Sequence, residues 1–150
     1  MPSIKNKLFT EIASTIIKSG NNISFIARGR SMSPFIKDGD TVIIAPTEGS
    51  PGIGDVVLCT NAKDNLLLHR VTSKTAESVF TKGDARLTDD GSIPYKNILG
   101  RAVKVSGNGV NYHLKFPFNF LVGKGLLLPI RFRRYPRVLS LLKKASALLG

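Results

Sequence analysis

The chain has no second cysteine: Cys59 stands alone, so no intrachain disulfide can form and the redox compartment is left open. Within the apolar run V-V-L-C it is expected to be a small buried core residue. Histidine is almost as scarce. His69 and His113 lie far apart in sequence, and with one cysteine they supply no familiar metal-ligand spacing, so no metal and no cofactor are expected. His113, in N-Y-H-L-K on a late strand, reads as structural or exposed. Long apolar runs are missing too. The most apolar stretch, residues 116–130, is broken by Lys124 and falls short of the roughly 20 residues a membrane-spanning helix needs. Residues 1–19 mix lysines and an acidic residue with apolar positions, so no signal peptide is expected and the localisation reads as peripheral membrane or cytoplasmic. Acidic residues stop at Asp90: all ten precede residue 91, while the net charge is +12. That asymmetry calls for an anionic partner, a lipid surface or a nucleic acid.

One hundred and fifty residues suit one domain with appendages. Ile4, Leu8, Phe9, Ile12, Ala13, Ile16 and Ile17 recur at helical spacing, with Ser3 placed to cap and Gly20 to stop, which predicts an amphipathic helix over residues 4–18. It packs on the domain or lies on a partner or membrane surface. From residue 23 the pattern becomes short β-branched runs between turn clusters, predicting strands over 23–28, 41–45, 55–60, 66–73, 78–82, 98–105 and 110–116. The last fifteen residues read as a basic amphipathic helix, open to packing on the domain or to lying in a membrane interface. The expected organisation is therefore a helix over 1–20, a mostly β domain over 21–116 and a basic amphipathic tail over 117–150. Nucleic acid is the disfavoured partner, because a lone helix is too little for a helix-turn-helix reader.

The residues that carry chemistry begin at A-R-G-R-S-M-S-P-F-I-K-D-G-D, residues 27–40. Glycine before Ser31 permits a sharp turn and Pro34 fixes φ after it, so the hydroxyl is held out from a rigid loop. A lone serine is a poor nucleophile and needs a base with a group to orient it. His69, in L-L-H-R-V, and the carboxylates of T-K-G-D-A-R-L-T-D-D-G, residues 81–91, are the candidates. I-G-D-V-V-L, residues 53–58, completes an ordered set.

This set resembles the S24/S26 serine peptidases, which include type I signal peptidases and LexA-like self-cleaving repressors, and it spans residues 29–105. The histidine at position 69, where bacterial signal peptidases and LexA-like proteins have lysine, is similar to the archaeal and endoplasmic-reticulum branch. The resemblance implies a β fold of short antiparallel strands and a Ser-His-Asp mechanism with Ser31 as nucleophile and His69 as base. Counting from Gly83 and Asp84 through that branch's G-D-N-N-x-x-D-D-R-G box makes Asp90 the orienting carboxylate. Asp84 and Asp89 are then substitutes for that role or supports of the loop, and Met32 and Pro34 complete the serine box. One oxyanion donor is the Ser31 N–H; some bacterial signal peptidases add a serine hydroxyl two residues earlier, where this chain has Gly29, leaving the second donor unassigned.

The implied substrate is a leader or signal-like peptide or preprotein, with small residues expected before the scissile bond. The family's membrane anchor ahead of the serine box is replaced here by the amphipathic helix, so peripheral attachment to an anionic membrane, and few substrates, are expected. Two other readings are a LexA-like self-cleaving regulatory domain and a non-catalytic membrane-surface module.

Overall fold

A computed structural model of the chain describes residues 4–107 and 109–114. The expected tail over 117–150 lies outside the described residues. Helix α1 occupies Ile4–Lys18, as its apolar spacing predicts, and closes at Gly20, whose φ of +85° is the left-handed conformation that ends helices. Eight strands follow: β1 (Ile23–Ile26), β2 (Thr41–Ala45), β3 (Val56–Thr60), β4 (Leu66–Lys74), β5 (Ser78–Lys82), β6 (Ser92–Pro94), β7 (Ile98–Gly107) and β8 (Val110–His113). All pairings are antiparallel in one sheet of order β1-β2-β7-β3-β4-β5-β6. The expectation of a mostly β chain with an N-terminal helix holds.

The ten-residue strand β7 organises the sheet because it is long enough to serve three partners. Arg101 lies between Ala45 of β2 and Val57 of β3, and Lys104 between Ile43 of β2 and His113 of β8. One side therefore carries β2 and the other carries β3 and then β8. Strand β3 is buried on both faces, which is why V-V-L-C shows no alternation. Val56 and Leu58 join a core with Ile17, Met32, Ile36, Val42 and Ile44, whereas Val57 and Cys59 join Val71, Val79 and Ile93 on the opposite face.

Several details differ from the sequence expectation: β8 stops at His113 rather than running to residue 116, and β7 extends to Gly107 rather than residue 105. Strand β1 ends at Ile26 rather than at residue 28, because the chain there leaves the sheet for the loop that carries Ser31. Strand β6 has only three residues and ends in proline, too short for an alternation pattern to show. Only part of the apolar stripe of α1 is seated: Ala13 and Ile17 are buried and Phe9 half-buried, while Leu8 and Ile12 stay 56% and 50% exposed.

Candidate active site

The loop from Ala27 to Asp40 is clasped at its base. Ala27 N–H donates to the Asp40 carbonyl at 2.7 Å and Gly39 N–H to the Ala27 carbonyl at 2.9 Å. Across the neck, the Asp38 carboxylate accepts from Gly29 N–H at 2.8 Å, and buried Asp40 accepts from Lys37 N–H at 2.8 Å. Gly29 has a φ of +92°, so the turn before the serine uses backbone that side-chain-bearing residues rarely adopt. On the far side, Met32, Phe35 and Ile36 sink into the core, each under 5% exposed. The Tyr112 hydroxyl donates to the Phe35 carbonyl, tying β8 to the same loop. Pro34 follows a cis peptide bond and is half-buried. Apolar anchors on one side and backbone bonds on the other leave Ser31 little freedom.

Opposite Ser31 stands His69, 3% exposed on β4. Its Nε2 lies 3.0 Å from Ser31 Oγ and its Nδ1 2.6 Å from Asp90 Oδ2. The structure thus brings together the three residues that the sequence singled out, across 38 and 21 positions of chain. A carboxylate on Nδ1 fixes the tautomer that leaves Nε2 as acceptor for the serine proton. Asp90 itself is held by a second donor, Thr81 Oγ1 at 2.8 Å, and by its own N–H on the Thr81 carbonyl at 2.8 Å. Its other oxygen, Oδ1, lies 3.8 Å from the exposed Arg86 guanidinium.

The two remaining aspartates have separate duties. Asp84 takes Arg70 in a two-pronged ion pair, 2.8 Å to Nε and 2.7 Å to Nη2, with both side chains 5% exposed or less. Arg70 also donates to the Gly54 carbonyl at 2.8 Å and lies over the Phe35 ring. Asp84 therefore supports the loop rather than the histidine. Asp89 makes an Asx turn onto Gly91 N–H at 3.0 Å and is exposed.

The segment bearing Asp84 and Asp90 is pressed directly against the nucleophile. Ala85 N–H donates to the Ser31 carbonyl at 2.8 Å. A Cβ placed on Gly83 would lie 2.7 Å from that carbonyl and 3.1 Å from His69 Nε2, so only glycine permits this approach. Removing one member of the Arg70–Asp84 pair strands a buried charge. Asp84→Ala is expected to cost about 3–5 kcal/mol of stability, whereas an apolar replacement of both residues costs much less; chemical denaturation of the three chains measures the difference.

Three contributors escape the sequence reading: Thr81, Arg70 and Gly83. Thr81 pairs with Val71, two residues along β4 from His69, so Thr81, Val71 and His69 share one face of the sheet. Its position two residues before Gly83 was the available signal, but its use depends on a register that only the folded sheet supplies. His113 lies half-buried on β8 opposite Lys104, on a strand remote in the sheet from His69.

Cys59 is no rival nucleophile. Burial, and secondarily the Asp90 carboxylate, push its thiol up to about 12, so it stays protonated in the core.

A groove of about 340 Å³ leads to Ser31 and His69, lined by Phe9 of α1, residues 25–29 at the end of β1, and Leu66, Leu67 and Leu68 of β4. Both strands present an unpaired edge among the described residues. β1 ends the sheet with β2 as its partner, and β4 is joined by β5 only from Arg70 onward. No helix among the described residues is long and apolar enough to cross a membrane. Comparison of the chain with protein-family models and with curated proteins finds no match.

Proposed function

We propose that this chain is a serine endopeptidase of the signal-peptidase type, which cleaves an extended leader-like peptide through an acyl-enzyme on Ser31. The observation that carries the reading is the hydrogen-bonded chain from Ser31 Oγ through His69 to Asp90, at 3.0 and 2.6 Å. His69 Nε2 takes the hydroxyl proton as Ser31 Oγ attacks the scissile carbonyl carbon. The Ser31 N–H supplies one donor to the oxyanion. As the tetrahedral intermediate collapses, His69 returns the proton to the leaving amine, and Asp90 stabilises the imidazolium between those events. Water then attacks the acyl-enzyme by the same route, releasing the acid product and restoring Ser31.

The two unpaired strand edges beside the groove suit an extended peptide, whose backbone adds to them as a further strand. The reading is tested by a fluorophosphonate, which phosphonylates an activated serine with loss of fluoride. Stoichiometric modification of Ser31, lost on heating or in His69→Ala, is expected; an unmodified Ser31 in folded protein contradicts it.

In this account Thr81 fixes the Asp90 carboxylate. Thr81→Val is expected to slow phosphonylation about tenfold, since a hydrogen bond to a charged group is worth roughly 1.5–3 kcal/mol, while Thr81→Ser restores most of the rate. Stopped labelling reactions read by intact mass check this.

The proposal includes work at an anionic membrane surface. Leu8, Ile12 and Ile26 are each at least half exposed, in a chain of net charge +12. Sedimentation with anionic vesicles is expected to be reduced by Leu8→Ser with Ile12→Ser, and to weaken as salt rises.

A further inference from the structure

Arg70, Arg86 and Arg101 each have a carboxylate partner, Asp84, Asp90 and Asp55 in turn. Arg28 has none. It is exposed, and its guanidinium makes no ion pair or hydrogen bond with a described residue. The carboxylates of its own loop are engaged by backbone, Asp38 by Gly29 N–H and Asp40 by Lys37 N–H, each at 2.8 Å. Yet Arg28 lines the groove that also holds Ser31 and His69. Among the described residues no carboxylate and no lysine lines that groove, so at neutral pH Arg28 supplies its fixed charge.

A guanidinium offers a planar fork of N–H donors that meets a carboxylate with two parallel bonds. Three positions of chain separate Arg28 from Ser31, at most about 11 Å of extended backbone. A bound peptide in extended form advances roughly 3.3 Å per residue, so the charge lies within about three substrate positions of the bond to be cut. We infer that the groove selects peptides carrying aspartate or glutamate within about three positions of the scissile bond, and that Arg28 is the specificity-determining residue that reads this acid. The inference rests on the peptidase reading for the word scissile, but the preference for acidic peptides is measurable without catalysis. It is compatible with small residues just before the bond, since the acid occupies another position. A lipid headgroup is the other anion that a cationic chain meets, but Arg28 belongs to the walls around the reacting serine, where a peptide must lie.

The test uses the full-length chain carrying Ser31→Ala, immobilised and offered a library of random, end-blocked decapeptides; those retained are sequenced by mass spectrometry. Aspartate and glutamate are expected to be enriched about fivefold over asparagine and glutamine, near the upper range for an ion pair open to solvent, and the enrichment falls as salt rises. A chain of net charge +12 attracts acidic peptides over its whole surface, so the decisive comparison is between variants. Arg28→Gln removes most of the enrichment and Arg28→Glu inverts it in favour of lysine. Lys74→Glu, an equal change of charge at the exposed end of β4 and outside the groove, leaves it in place. No acidic enrichment, an enrichment that survives Arg28→Glu, or one that Lys74→Glu abolishes equally would overturn the inference. So would an Arg28→Glu chain that loses sedimentation with anionic vesicles but retains peptides as before, since the arginine would then serve lipid headgroups. The wild-type chain is then offered the same library. If acidic peptides are retained through Arg28 and never cut, the peptidase reading falls and the groove preference stands; if cutting occurs with no acid near the cut sites, the reverse holds.

Discussion

His69→Ala is expected to lower peptide-bond cleavage about 10⁶-fold in kcat, and Ser31→Ala by a similar factor, with the double variant no worse than either alone. Among the described residues, the basic partner of Ser31 Oγ is His69 Nε2 at 3.0 Å. Without it the hydroxyl must attack while keeping its proton, and the leaving amine must depart without receiving one. Once the proton route is broken, removing the nucleophile as well subtracts nothing further, because the two groups act in a single step. Additive losses would mean that Ser31 and His69 serve separate processes. Steady-state kinetics on the three variants, with folding checked by circular dichroism, distinguish the cases.

Asp90→Asn carries the second-largest expected effect, a loss of about 10⁴-fold in kcat with little change in KM. The amide keeps the size of the carboxylate, but its NH₂ or its oxygen must now face His69 Nδ1. If the NH₂ faces the ring, Nδ1 becomes the acceptor and Nε2 carries the proton, the tautomer that cannot receive one from Ser31. Thr81 Oγ1, which donates to the same Oδ2 at 2.8 Å, works against that arrangement, because it favours an oxygen at the position that faces the ring; with the NH₂ there, its hydroxyl must turn to accept instead. The imidazolium also loses its counter-charge. A kcat reduced less than tenfold would show that Asp90 does not orient the base. Asp84→Asn is the instructive comparison: Asp84 is committed to Arg70, so its loss acts on stability and only indirectly on rate.

The helix and the strand pattern were legible because their signals are local. The apolar spacing of residues 4–17 and the glycine at 20 specify α1 without reference to anything distant, and short β-branched runs between turn residues mark all the strands except the three-residue β6. The juxtaposition of Ser31, His69 and Asp90 was reached differently, through the resemblance of ordered boxes rather than from periodicity. Composition could not have placed a serine 3.0 Å from a histidine 38 residues away. What stayed hidden depends on the sheet's register. Arg70 reads as the residue after a histidine until β4 turns it to the opposite face, toward Phe35 and Asp84. Thr81 reads as a strand threonine until pairing with Val71 sets it beside Asp90. The partial seating of α1 was hidden for a similar reason, since seven apolar positions at one spacing do not reveal which of them the domain has room to cover.

The central claim, that Ser31 is an activated nucleophile in a peptidase, is tested most directly by mass-spectrometric mapping of cleavage in an unbiased peptide library with anionic vesicles present. Wild-type protein is compared with Ser31→Ala. The account predicts defined cut sites with the wild type and none with the variant. Equal cleavage by both, or no cleavage by a wild-type chain whose Ser31 also resists fluorophosphonate, would contradict it.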